Sequence, residues 1–538
     1  MKSILLTILF FVSAFQTHNL RAQYFDLGQE PASIKWYQIK TEHFKILFSK
    51  DFAEQAERIA KLLEQYRQYS LNSIGYKPGK TTVIIHNRSV ISNAYAAWAP
   101  ARMEFFTTSP QSVYGQDWLE QLCLHEYRHI AQMGKMKTAT GKYLYIIFGQ
   151  QSTAVLFGLF IPSWFMEGDA IFTETAFSKA GRGRVPEFTM PLKAQIGEKG
   201  LYSFDKAAFG SFKDYVPNEY AFGYLFVAAA RMKYGPDLWN NATSFVAKAP
   251  HSLTPLSTGL KKQTGYSLRK LYKSSFHYLD SVLKFHLITD SACNHLQLSP
   301  VNNIYTSYEQ PVFINDSLIS AVKFGLADER QFVLLNYSAE EKKIFTPGFF
   351  NPVRLSSNGE GVIFSHNKNV EEILYSSDGK YIVWAEVKYD KRWAHRTWSV
   401  VKKLDIKTGK VITLTKRSKY FAPSISPDGN HIAVSEILPD YKHSLVIIDA
   451  FTGEESRRLI LPDNELILAP SWAPDSKTIY CVTMNMRGEK GLLSFNCSNN
   501  HYSYLIGPSN SEINKPVSDG RNLFFNASYQ GKPDIYSL

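Results

Sequence analysis

His125-Glu126-Tyr127-Arg128-His129 is the run of the sequence whose residue types and spacing could most directly do chemistry. On a helix, residues four apart share a face one turn from each other, so both imidazoles reach one zinc ion. Glu126, beside them, stands where it can take a proton from water that such a metal activates. The bland alternative is a surface helix carrying two unrelated histidines.

Helical periodicity predicts that this run lies inside a helix over 118–132, and the elements before it form a small sheet. His43–Ser49, Thr81–His86 and Arg102–Thr107 read as strands, with an amphipathic helix over 51–71 between the first two. Further helices are expected over 218–234 and 267–285. Between the histidines and those helices, the apolar stretch 143–160 reads either as a buried helix hairpin or as a surface that touches a membrane. Gly149, Gln150 and Gln151 in its middle argue against a spanning helix.

A second segment, Pro162-Ser163-Trp164-Phe165-Met166-Glu167-Gly168-Asp169-Ala170, resembles the W-x-x-E-G-x-A element of gluzincin metallopeptidases. The resemblance implies that Glu167, 38 residues after His129, is the third ligand of one Zn²⁺. Two histidines and a carboxylate leave the fourth position open, as a hydrolytic site requires. It also implies that Glu174, seven residues further on, supports the ligands from behind. Asn218-Glu219-Tyr220-Ala221-Phe222-Gly223 resembles the Y-x-x-G helix start of the aminopeptidase-like members, which makes Tyr220 the oxyanion donor and Tyr224 its fallback. Order and spacing over about 35–290 are similar to the peptidase MA-like group. The group's exopeptidase motif is echoed only by Ala101-Arg102-Met103-Glu104-Phe105, so Glu104 is a weak candidate for gripping a free amino terminus.

After Pro300 the helical period vanishes, and short alternating strands and turn signals replace it. Ala422-Pro-Ser-Ile-Ser-Pro-Asp-Gly429 returns as Ala469-Pro-Ser-Trp-Ala-Pro-Asp-Ser476, 47 residues on, with looser copies at Asp378 and Asp519. A period of 40–50 residues with several strands per unit predicts a β-propeller, and the phrase resembles the TolB-type blade. Counting Asp316, Asp378, Asp428, Asp475 and Asp519 gives about five blades, with these aspartates as turn-formers. The last blade is short of a strand. Either the segment near Ile304–Ser307 supplies that strand or the natural chain continues beyond Leu538.

The expected fold is therefore multidomain. A signal peptide over 1–22 precedes an α+β gluzincin domain over 23–299, and an all-β propeller follows over 300–538. Met1-Lys2, the apolar run Ile4–Ala14 and Leu20-Arg21-Ala22 carry the first of these. The mature chain would thus be exported to the periplasm, the cell surface or the medium, with no transmembrane span. With 538 residues, 44% hydrophobic and 14% aromatic, the chain is too rich in core-formers to be disordered. Four cysteines exclude a disulfide scaffold; Cys481 and Cys497 could pair but read more simply as buried thiols. A net charge of +12, without a Lys/Arg run, does not indicate nucleic acid. The function expected is a zinc metallopeptidase acting on peptides or proteins, whose propeller recruits the substrate or a cell-envelope partner. The alternative is a non-catalytic binding protein in which the propeller carries the function and the zinc site is structural.

Overall fold

The computed structural model describes residues 29–538 apart from 112–115, 284–298, 301, 316–317, 347–350, 356–361, 366–375, 378–379, 510–511, 519 and 530–531. The expected signal peptide and the turn aspartates Asp316, Asp378 and Asp519 lie outside the described residues.

Five strands form the first sheet: β1 (Trp36–Lys40), β2 (Phe44–Ser49), β3 (Thr81–His86), β4 (Ser92–Trp98) and β5 (Ala101–Thr107), in the order β1-β2-β3-β5-β4. The pairs β2/β3 and β3/β5 are parallel, whereas β4 runs antiparallel to β5 along one edge. Alternation sends Phe44, Ile46, Val83, Ile85, Met103 and Phe105 into the core. Helix α1 (Ala53–Asn72) crosses between β2 and β3, and buries Ala56, Ile59, Ala60 and Leu63 on one face.

The remaining helices are α2 (Trp118–Lys135), α3 (Ala139–Phe148), α4 (Gln150–Phe160), α5 (Ser163–Ala176), α6 (Pro186–Lys199), α7 (Phe204–Phe209), α8 (Glu219–Tyr234), α9 (Leu238–Lys248), α10 (Pro255–Thr264) and α11 (Leu268–Leu283). Trp164, Phe222, Phe226, Trp239, Tyr272 and Phe276 share their core with the sheet. The stretch 143–160 is a helix hairpin turned at Gly149, whose φ is +64°. It is not a buried one. Ser152, Thr153, Leu156 and Phe157 face inward, while Tyr143, Ile146, Ile147 and Leu159 are each about two-thirds exposed. The hairpin is two helices thick at the rim of the bundle, so only its inner face finds neighbours. No single described helix is long and apolar enough to cross a membrane; α4 and α5 pass together, but with a 99° bend between them.

The second half is a succession of antiparallel meanders. Four-stranded sheets cover 306–345, 376–413, 420–459 and 466–509, with a two-stranded sheet at 351–365 and a three-stranded one at 512–537. That makes six described sheets where turn counting gives about five. The additional one lies between Asp316 and Asp378, where the Pro-Asp-Gly phrase is missing. Thr306–Asn315 pairs inside its own sheet with Leu318–Gly325, and no described residue pairs it with the final sheet. Asp475 accepts the amides of Lys477 and Thr478 at 2.8 Å, and Asp428 accepts that of Asn430 at 3.1 Å, so both organise their own turns. Cys123, Cys481 and Cys497 are unbonded thiols.

The two halves share a junction. Val90 packs into the core of the second half, and Tyr441, 2% exposed, packs into that of the first. Lys419 Nζ donates to the carbonyls of Asn87 and Ser89 at 2.9 and 3.0 Å.

Candidate metal centre

Helix α2 carries the two histidines through the middle of the first domain. Asp117 caps its N-terminus by accepting the amide of Glu120, and nearly every residue after Trp118 is buried. That burial follows from the position of α2, which packs against the sheet, α1 and α5. His125 and His129 are each 8% exposed, and their Nε2 atoms lie 3.1 Å apart.

Helix α5 brings Glu167 to the same point. Its Oε2 lies 3.2 Å from His125 Nε2 and 3.7 Å from His129 Nε2. A close crossing with α8 positions α5. A Cβ on Gly168 would stand 2.1 Å from the backbone of Gly223, and one on Gly223 would stand 1.8 Å from the carbonyl of Trp164. The two motif glycines are thus the helix–helix contact itself, a role that single-segment spacing does not reveal.

Behind the ligand atoms, each outward-pointing ring nitrogen has a partner. His125 Nδ1 lies 3.0 Å from Glu174 Oε2, and His129 Nδ1 lies 3.0 Å from Gln132 Oε1. Arg182 clasps the fully buried Glu174 through Nε at 2.7 Å and Nη2 at 2.9 Å. Gln132 in turn donates to Met166 O and Asp169 Oδ2. Asp169, wholly buried, also accepts two bonds from Arg128 at 2.6 and 2.9 Å and one from Arg231 at 2.8 Å, tying α2, α5 and α8 together. Arg182, Gln132 and Asp169 escape sequence reasoning. The available signals are charged residues inside apolar helical runs (Arg128, Asp169) and the Gly181-Arg182-Gly183 turn that folds back on Glu174.

Burial opposes charge on His125, but the hydrogen bonds it donates to Glu167 and Glu174 outweigh that and raise its pKa to about 9. Burial also opposes ionisation of Glu174, yet the charge of Arg182 prevails and brings its pKa to about 2. Glu167 is held far below the usual carboxylate range by the two histidines, again against burial. The pocket therefore concentrates negative charge around two imidazoles.

This donor set fits a zinc ion. Tetrahedral coordination at bond lengths of about 2.0–2.1 Å places ligand atoms about 3.3 Å apart, close to the three separations found here. Glu126, 6% exposed, has an Oε2 that is buried without a hydrogen-bond partner. Gln121 Oε1 on the same helix is unpaired as well, but Glu126 is the one that adjoins a ligand histidine, where water or substrate can meet its oxygen.

Tyr220 opens α8 beside the pocket, 36% exposed, its ring centroid 6.0 Å from the Arg182 guanidinium. Burial first, and the Glu167 carboxylate next, push its phenol above the usual value. Tyr224 turns elsewhere and packs on Gly183 and Phe188. Glu104 is not with these groups. Buried in β5, it binds His86 at 2.9 Å and Arg102, and those bonds occupy the carboxylate suggested for gripping an amino terminus. A cavity of about 200 Å³ lined by Tyr76, Trp98, Ile130, Met133 and Gln150 lies along α2 but includes none of His125, Glu126, His129 or Glu167.

No family model matches the chain, and no curated protein matches it. Among solved structures, TolB from Acinetobacter baumannii is 12% identical over 41% of this chain and 51% of its own, with a TM-score of 0.26. The tricorn protease is 10% identical over 43% of this chain and 31% of its own, at 0.31. A prolyl endopeptidase is 12% identical over 43% of this chain and 41% of its own, at 0.33. The chain thus spans about half of that TolB and less of the two larger proteins, and likenesses this distant carry no argument about its fold or chemistry.

Proposed function

We propose that the protein is an exported zinc metallopeptidase of gluzincin type, with one Zn²⁺ held by His125, His129 and Glu167, joined to a TolB-like propeller. The observation that carries this reading is the convergence of those three donors beside the unpartnered buried oxygen of Glu126. When bound, the ion polarises the scissile carbonyl and acidifies the attacking water.

The chain's own groups do the rest. Glu126 takes the proton of the attacking water and delivers it to the leaving amine. Tyr220 donates its phenolic hydrogen to the oxyanion as charge develops there. Glu174 and Gln132 hold the two rings by their Nδ1 atoms, which fixes the nitrogens turned toward the metal. Strand β4 is packed against α2 and has no strand on its outer side among the described residues, an edge to which an extended peptide can add. The propeller would recruit substrate or a cell-envelope partner.

The test is digestion of a mixed peptide library by the full-length protein. Cleavage should vanish with a chelator and return with added zinc. Cleavage that persists after chelation, with metal analysis confirming removal, contradicts the reading.

A further inference from the structure

A second convergence of metal-binding side chains lies away from α2, at the junction of the two halves. It unites Glu30 of the N-terminal segment, His86 at the end of β3, and His395 in the loop between the strands Tyr381–Tyr389 and Thr397–Asp405. One donor atom from each falls within 4.8 Å of the others. Glu30 Oε1 stands 3.2 Å from His86 Nδ1 and 3.9 Å from His395 Nδ1, and the two ring centroids are 4.3 Å apart.

Two features separate this group from an ordinary buried ion pair. The far nitrogen of His86, Nε2, is 2.9 Å from Glu104 Oε2, and Glu104 is itself held by Arg102. That is the carboxylate–histidine arrangement which orients a ligand ring, leaving Nδ1 to face the cluster. In addition, His395 Nδ1 and Glu30 Oε2 are buried without any hydrogen-bond partner among the described residues. An imidazolium at His86 bridging Glu30 and Glu104 would satisfy His86 but would leave both those atoms stranded, and each stranded buried atom is costly. A cation at the centre engages His86 Nδ1, His395 Nδ1 and Glu30 Oε1, the atoms that already face one another, and so gives His395 Nδ1 the partner it lacks. Phe106 stacks on the His86 ring at 4.8 Å and meets the His395 ring edge-on at 5.1 Å, which shields the cluster on that side.

We propose that Glu30, His86 and His395 form a second divalent-cation site that clips the N-terminal segment and the propeller loop to the first sheet. Two imidazoles and one carboxylate suit zinc or another late first-row ion rather than calcium or magnesium. The site is structural, because it joins three segments that are distant along the chain: the N-terminal segment, the end of β3 and the loop that carries His395. The amide of His395 already donates to Gln29 O at 3.1 Å, so the same two segments are tied by backbone as well.

The experiment is zinc content per chain, measured by mass spectrometry after loading with Zn²⁺ and desalting, together with thermal melting. A full-length His125→Ala/His129→Ala protein should keep about one zinc per chain, and zinc should raise its Tm. Adding His395→Ala to that protein should remove both the ion and the Tm response. Glu30→Gln, which spares both rings, should weaken them in the same direction and serves if the alanine variant folds poorly. Loss of all zinc in the double variant, or retention that is indifferent to both His395 and Glu30, overturns the proposal. If wild-type protein holds only the ion that depends on His395, this proposal stands and the candidate metal centre on α2 fails instead.

Discussion

Tyr220 is the residue whose role is most open to a single-atom test. Its ring is partly exposed, the Glu167 carboxylate lies close enough to help raise its phenol, and the proposed mechanism gives that phenol the developing oxyanion. Tyr220→Phe should lower kcat by about 10²–10³-fold and leave KM nearly unchanged, as expected for a donor used only in the transition state. A steady-state comparison on one peptide decides it, and an unchanged kcat removes Tyr220 from the chemistry. At this scale much was legible in the sequence. His125, Glu126 and His129 stand together because helical spacing is local, and a short motif points to Glu167, which the fold brings to the two histidines. Asp169 is not legible because its partners Arg128 and Arg231 lie 41 and 62 residues away, and Arg182, only eight residues from Glu174, is not legible because a tight turn has to fold it back. The turn at Gly181, with φ of +100°, is what brings Arg182 back to Glu174.

Among elements, the crossing of α5 and α8 sets where Glu167 stands. Gly223→Ala would drive a methyl into the Trp164 carbonyl at 1.8 Å, so the helices must part. Overpacking of this kind costs about 1–3 kcal/mol, and the displaced Glu167 should weaken zinc retention as well. Gly158→Ala, on an exposed face of α4 with nothing within 4 Å, is the control and should stabilise by up to about 1 kcal/mol through helix propensity. Urea denaturation of both variants checks the contrast; equal effects would mean that the crossing is not tight. Periodicity located α1, α2, α8 and α11 because each has a long buried face. It missed β4, whose residues are nearly all half-buried and so carry no clear alternation. For a related reason the sequence leaves the 143–160 stretch open between a buried hairpin and an exposed surface: apolar composition does not say whether a neighbour exists to cover it.

For the whole molecule, the repeats of the second half were readable from their turn phrases, whereas the junction was not. Val90, Tyr441 and Lys419 meet partners more than 300 residues away, and nothing in local sequence marks such contacts. Tyr441 lies 3.0 Å from Ser109 Oγ and 3.4 Å from Asp117 Oδ2, so the second half touches the cap of α2. Its neighbour His443 is buried, and desolvation lowers its pKa to about 4. Above about pH 6.5 this ring is neutral whether folded or unfolded and contributes no pH dependence. Between about pH 6.5 and 4 only the unfolded chain takes up the proton, so stability falls as the solution is acidified, by at most about 1.4 kcal/mol for each pH unit. His443→Gln should therefore lose less stability than wild type between about pH 7 and 4.5 when both are denatured in chelator. Equal losses would show that His443 does not titrate as its burial requires.

The most direct test of the account is Glu126→Gln in the full-length chain. The substitution keeps the shape of the side chain and leaves His125, His129 and Glu167 in place, so zinc content should stay at the wild-type level. Peptide hydrolysis should fall by at least about 10²-fold, since an amide cannot relay the proton of the attacking water. Cleavage at the wild-type rate by a zinc-loaded Glu126→Gln protein would contradict the proposal that this centre is hydrolytic.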